Sequence, residues 1–86
     1  MQSIQMLRSV NMNLLPILAE LLRCANVTNA AKRLHLTQST VSGSLRQLRE
    51  IFNDDLLVQR GRDMVLTEKA SRLIPEVERI MELTGR

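Results

Sequence analysis

The stretch TQSTVSGSLR, from Thr37 to Arg46, gathers side chains able to read the edges of nucleic-acid bases. The Gln38 amide carries a donor and an acceptor together, the combination that pairs with N6 and N7 of adenine. Ser39 and Ser42 can meet a base or a phosphate, and Arg46 can reach guanine or the phosphate backbone. At 100° per residue with Val41 set to zero, Leu45, Leu48 and Phe52 fall within about 40° of Val41. Ser39, Ser42, Gly43 and Arg46 lie between about 100° and 200°, on the other side. One face is apolar and the other small and hydrogen-bonding. That small face suits a groove about 12 Å wide, which bulky side chains would hold away from the backbone.

A second basic site is QRGR, where Arg60 and Arg62 flank Gly61 between the short apolar runs LLV and MVL. A hairpin there would carry both arginines at its tip, against a phosphate ridge or an adjacent groove. Helix starts at Thr28-Asn29 and at Thr37 would offer N–H groups to phosphate oxygens.

Other chemistries find little to work with. The chain has no Ser-His-Asp order, no glycine-rich phosphate loop and no carboxylate cluster beside a histidine, so an enzyme is the poorest reading. One cysteine and one histidine cannot build a tetrahedral zinc site, and neither a metal nor a cofactor is expected. His35 falls in a turn and reads as structural. Cys24, at the end of the first helix, reads as a small buried hydrophobe.

The elements that must position these groups follow from periodicity. Leu14, Leu18, Leu21 and Ala25, flanked by Leu15, Ile17 and Leu22, predict a helix capped by Asn13, with Pro16 tolerated in its first turn. Thr28 is a candidate cap for a short helix carrying Ala30, Ala31 and Leu34, and Thr37 for the longer one. Asn53, Asp54 and Asp55 predict a turn before the hairpin. Thr67 then caps a final helix with Ala70, Leu73, Ile74, Val77, Ile80 and Met81 on one stripe, and Pro75 inside it should kink it or loosen a bond near Ser71. That stripe exceeds what a small head can cover, so it is assigned to dimerisation.

Composition agrees. Eighty-six residues, 44% hydrophobic and only 1% aromatic, make one small domain whose core must be aliphatic. The net charge of +3 is uneven: residues 1–62 hold eight Lys/Arg against four Asp/Glu, and residues 63–86 four against five. The basic part is the part with the reading face. No apolar run approaches the roughly 18 residues of a membrane span, no secretory signal is present, and a lone cysteine fits a reducing cytoplasm.

A short helix, a tight turn and a longer helix with a small polar face is the pattern of helix-turn-helix DNA recognition. NAAKRLHLTQSTVSGSLRQLRE, DLLVQRGR and LTEKA, in this order and separation, resemble the N-terminal winged helix-turn-helix of LysR-type transcriptional regulators. The resemblance implies a bacterial DNA-binding regulator whose recognition helix starts at Thr37-Gln38. It also implies a last helix that dimerises and leads to a larger effector-sensing domain. Gln38, Ser39, Ser42 and the wing arginines stand on the family's DNA-contacting positions. Ser39 replaces a common proline, Leu57 a common phenylalanine and Ser71 a common glycine, and Gly43 is unusual on the reading face. LRQLREIFNDDLLVQRGR looks closest to the branch of nodulation and aromatic-catabolism regulators.

The fold expected is mainly α: a winged helix-turn-helix, with a three-helix head and a two-stranded wing, followed by a long C-terminal dimerisation or linker helix. Residues 1–10 are a tail or helix extension, 11–66 the DNA-binding domain with its helix-turn-helix at 27–46, and 67–86 the linker helix. The partners are double-stranded DNA with two half-sites and a second copy of the chain. A small-molecule effector would act only through a domain beyond Arg86, the chain being an excised fragment or a truncated regulator. The competing reading, a helical interaction module without DNA binding, leaves the small polar face and QRGR unexplained.

Overall fold

The computed structural model describes residues 13–84. The tail assigned to residues 1–10 and the last two residues of the linker helix lie outside the described residues. The elements are α1 (Leu14–Cys24), α2 (Val27–Leu34), α3 (Gln38–Phe52), β1 (Leu57–Arg60), β2 (Asp63–Leu66) and α4 (Glu68–Thr84). Helix α1 is the hub, packing against α2, α3 and α4. It buries Leu14, Leu15, Ile17, Leu18, Leu21 and Leu22, almost its whole apolar content. Asn13 stands at its N-cap position but keeps helical dihedrals and forms no side-chain cap bond.

The turns are set by single left-handed residues. Ala25 (φ 51°) ends α1 by donating its N–H to the Leu21 carbonyl at 2.8 Å. The chain reverses so quickly that Asn26, and not Thr28, caps α2: its side-chain oxygen accepts from the Asn29 N–H at 2.8 Å. Thr28 lies inside the helix. Asn26→Ala is therefore expected to cost about 1 kcal/mol in a thermal melt, and Thr28→Ala only a few tenths. His35 (φ 58°) ends α2, with the Leu36 N–H returning to the Ala31 carbonyl at 2.9 Å. Thr37 caps α3 as the sequence indicates, accepting from the Thr40 N–H at 3.1 Å.

Val41, Leu45, Leu48 and Phe52 are all buried, as their spacing requires, and Ser44 is buried with them. Ala30 and Ala31, also buried, bring α2 close to its neighbours. Asn53 (φ 51°) closes α3. Strands β1 and β2 then pair antiparallel from Leu57 opposite Leu66 to Arg60 opposite Asp63. The loop is the pair Gly61-Arg62, and the positive φ it needs at its first position, 64°, falls on glycine.

Between α3 and the hairpin sits a strained residue. Leu56, 2% exposed, has φ 64°, and the Leu57 N–H bonds the Asp55 carbonyl across it at 2.6 Å. That is a γ-turn of the rare positive-φ kind, and such backbone states cost about 1–3 kcal/mol and persist only where the surroundings over-determine them.

Helix α4 starts on Thr67, whose hydroxyl accepts from the Ala70 N–H at 3.1 Å. Its inner residues Ala70, Leu73 and Val77 are at most 2% exposed and complete the core under α1. Of the stripe assigned to dimerisation, these three pack into the chain's own head. Ile74, Ile80 and Met81 are only partly buried. The helix runs on through Pro75. Ser71 and Pro75 are both exposed, and proline has no N–H to give the Ser71 carbonyl.

Candidate nucleic-acid interface

With its apolar face buried, α3 turns the other outward. Thr37, Gln38, Ser39 and Arg46 are exposed, and Ser42 and Gly43 are half-exposed. The structure thus brings Gln38, Ser39, Ser42, Gly43 and Arg46 onto one solvent-facing surface beginning at a helix N-terminus. The Thr40 N–H is taken by Thr37, which leaves Gln38 and Ser39 N–H as the first-turn donors without an intrahelical acceptor. A Cβ built on Gly43 would meet nothing within 4 Å, so the fold does not require glycine there.

Thr28 and Asn29 are exposed on α2, with Lys32 one turn further along the same helix. The Asn29 N–H is spent on the Asn26 cap, so the donors α2 can offer an anion are those of Val27 and Thr28. Lys32 did not figure among the sequence-derived contacts. The signal for it was a cation four residues after Thr28, hence on the same helical face.

Arg60 and Arg62 are exposed, Arg60 at the end of β1 and Arg62 in the loop. Among the described residues, the ion pairs are Arg23 and Arg33 with Glu20, and Arg72 with Glu68. Among the described residues, Arg46, Arg60 and Arg62 form no ion pair.

Arg49 donates from Nε to the Asp55 carbonyl at 2.8 Å and from Nη2 to the Leu57 carbonyl at 3.0 Å. One assignment changes at the end of α1. Cys24 is half-buried and donates its thiol to Glu20 Oε1 at 3.8 Å. Burial pushes the thiol pKa up and the Glu20 carboxylate pushes it further, against the pull of Arg33 and Arg23. The thiol therefore stays protonated at neutral pH. Glu20 also holds Arg33 at 2.9 Å and so ties α2 to α1. Among the described residues, no helix is long and apolar enough to cross a membrane.

Sequence reasoning also missed the joint below the wing. Asp54 Oδ2 accepts from the Leu56 N–H at 2.9 Å and from the Thr67 hydroxyl at 2.6 Å. Lys69 Nζ donates to the Phe52 carbonyl at 2.7 Å. The first turn of α4 thus grips the end of α3.

Residues 12–71, well over half of the chain, match the family described as bacterial regulatory helix-turn-helix protein, lysR family. The chain belongs to that family. Its matched residues carry the LysR-type helix-turn-helix DNA-binding domain, and the winged architecture described above is the one these domains share. Among curated relatives, it is 51% identical over 69 residues to the HTH-type transcriptional regulator SyrM 1 of Sinorhizobium fredii, covering 80% of this chain and 20% of that protein. It is 40% identical over 70 residues to Nodulation protein D 1 of Neorhizobium galegae, covering 81% of this chain and 23% of the relative. The nodulation branch noted in the sequence is represented in both the pattern and the relatives. The chain spans about a fifth to a quarter of the length of such relatives.

Among solved structures, the probable transcriptional regulator PA0477 from Pseudomonas aeruginosa superposes with a TM-score of 0.84 at 32% identity, over 94% of this chain and 27% of that one. The CbnR_DBD-DNA complex gives 0.77 at 27% identity, over 90% of this chain and 88% of the other.

Proposed function

We propose that this LysR-family chain binds double-stranded DNA sequence-specifically as a homodimer in the bacterial cytoplasm, to regulate transcription. The observation that carries the reading is the two-sided α3. Val41, Leu45, Leu48 and Phe52 are sealed into the core, while Gln38, Ser39, Ser42, Gly43 and Arg46 form a small polar surface. A helix held by one face and small on the other can enter the major groove deeply enough for Gln38 and the serines to meet base edges. The CbnR DNA-binding domain, of like fold, was solved as a complex with DNA, which supports DNA binding here.

In this reading the cations divide the work. Arg46 reaches guanine or phosphate from the helix, whereas Arg60 and Arg62 on the wing, and Lys32 with the start of α2, neutralise phosphates and supply salt-sensitive affinity. The domain spans residues 11–66, with the linker helix following. The two copies meet along α4 at its partly buried residues Ile74, Ile80 and Met81. Ile74 and Met81 border an open groove shared with Pro16 and Ala19 of α1. A dimer places two recognition helices on half-sites in successive major grooves. Any small-molecule effector acts through a domain outside these 86 residues, and the chain itself performs no catalysis.

Gln38→Ala is expected to relax preference at one base pair per half-site, at a cost of about 1–3 kcal/mol against the preferred base. Selecting duplexes from a randomised pool with the parent and the variant measures this directly. Equal loss across all selected sequences would remove Gln38 from base reading and assign it to the backbone.

A further inference from the structure

We infer that Arg49 is a positioning residue for DNA binding: from the recognition helix it holds the strained turn at Leu56 and so fixes where the wing stands relative to α3. Three observations converge on this joint. Leu56 is a buried leucine at φ 64°, a conformation its side chain disfavours. Arg49 donates to the carbonyls on both sides of it, Nε to Asp55 at 2.8 Å and Nη2 to Leu57 at 3.0 Å. Leu56 itself is held at both ends, its N–H by Asp54 Oδ2 at 2.9 Å and its carbonyl by the Thr67 N–H at 2.9 Å.

Asp54 and Thr67 fasten the turn to the start of α4. Arg49 alone among these groups belongs to α3. It lies three residues beyond Arg46, one helical turn behind the reading face. The planar guanidinium is suited to the task because two of its nitrogens can engage two carbonyls at fixed spacing, which an ammonium cannot reproduce. Without that fork, Leu56 is released toward ordinary negative φ. The first residue of β1 follows it immediately, so relaxation there re-aims the hairpin and carries Arg60 and Arg62 away from their place. Arg49 therefore contributes to affinity through other residues, and its charge need not touch DNA.

The inference rests on the reading of Arg60 and Arg62 as phosphate contacts, and a mutant cycle separates the two. Binding of the full chain to a random-sequence duplex is measured across salt concentrations for Arg49→Met, for Arg60→Ala with Arg62→Ala, and for the combination. Each protein's folded fraction is checked by circular dichroism at the binding temperature. The wing double variant is expected to lower the salt slope by about two. Arg49→Met is expected to weaken binding about tenfold in the parent and less than about twofold in the wing variant, a strong coupling.

Equal losses in both backgrounds would overturn the positioning role, since an effect on stability or a direct phosphate contact adds independently. A wing variant that binds like the parent would instead remove the wing from DNA, and the inference with it. Arg49→Lys keeps the charge and guards against a misfolded methionine variant: parent-like binding would mark Arg49 as a plain phosphate contact and overturn the proposal. Residual dipolar couplings of the free protein give a reading independent of DNA. Arg49→Met should rotate the amides of β1 and β2 relative to those of α3, and an unchanged orientation counts against the inference.

Discussion

Phe52→Ala is expected to lower the melting temperature by roughly 15–30 °C. The only aromatic side chain in the sequence is fully buried at the last turn of α3. Truncating a buried phenylalanine costs about 3–5 kcal/mol, from lost transfer energy plus the cavity left behind. In a domain this small each kcal/mol moves the midpoint by about 4–8 °C, and total stability is only about 5–15 kcal/mol. Phe52 also precedes Asn53, whose left-handed backbone closes the helix, and its carbonyl takes the Lys69 ammonium. A cavity there loosens the recognition helix, the wing entry and the start of α4 together. Thermal melts followed at 222 nm test this. A shift under about 5 °C would mean that α1 and α4 collapse into the space, and that the core is more plastic than its burial implies.

The second large effect is a contrast between two residues three apart on α4. Val77→Asp is expected to unfold the head, because Val77 is 2% exposed beneath α1 and an unpaired carboxylate there carries a desolvation penalty of several kcal/mol. Ile80→Asp is expected to leave the head folded and to shift the protein from dimer to monomer. Ile80 is only partly buried and can let the new charge reach water. Circular dichroism with sedimentation velocity distinguishes the outcomes. A folded monomeric Val77→Asp protein would reverse the assignment of inner and outer faces, and a dimeric Ile80→Asp protein would move the self-contact elsewhere.

That contrast marks where the sequence stops being legible. Its period places Ala70, Leu73, Ile74, Val77, Ile80 and Met81 on one stripe, but a stripe does not say which of its edges meets the chain's own α1. Burial divides it, with Ala70, Leu73 and Val77 inward. The recognition helix was readable because its apolar and polar residues separate cleanly over four turns, although the pattern hid the burial of Ser44. The hairpin was readable because glycine marks its loop. The cap of α2 was not, since Asn26 and Thr28 are both competent cappers and the choice falls to the left-handed Ala25 before them. Arg49 was opaque for a different reason. Its acceptors are backbone carbonyls six and eight residues away, and carbonyls leave no mark in a residue pattern.

Gly43 has one more consequence. A glycine inside a helix sacrifices about 1 kcal/mol relative to alanine, and nothing in the surroundings of Gly43 demands it, since an added side chain would meet open space. Alanine can stand there without repacking the head, and it would make the helix firmer. On the proposed use of α3, position 43 is an unassigned letter on the reading surface, where the operator preference can change while the scaffold stays intact.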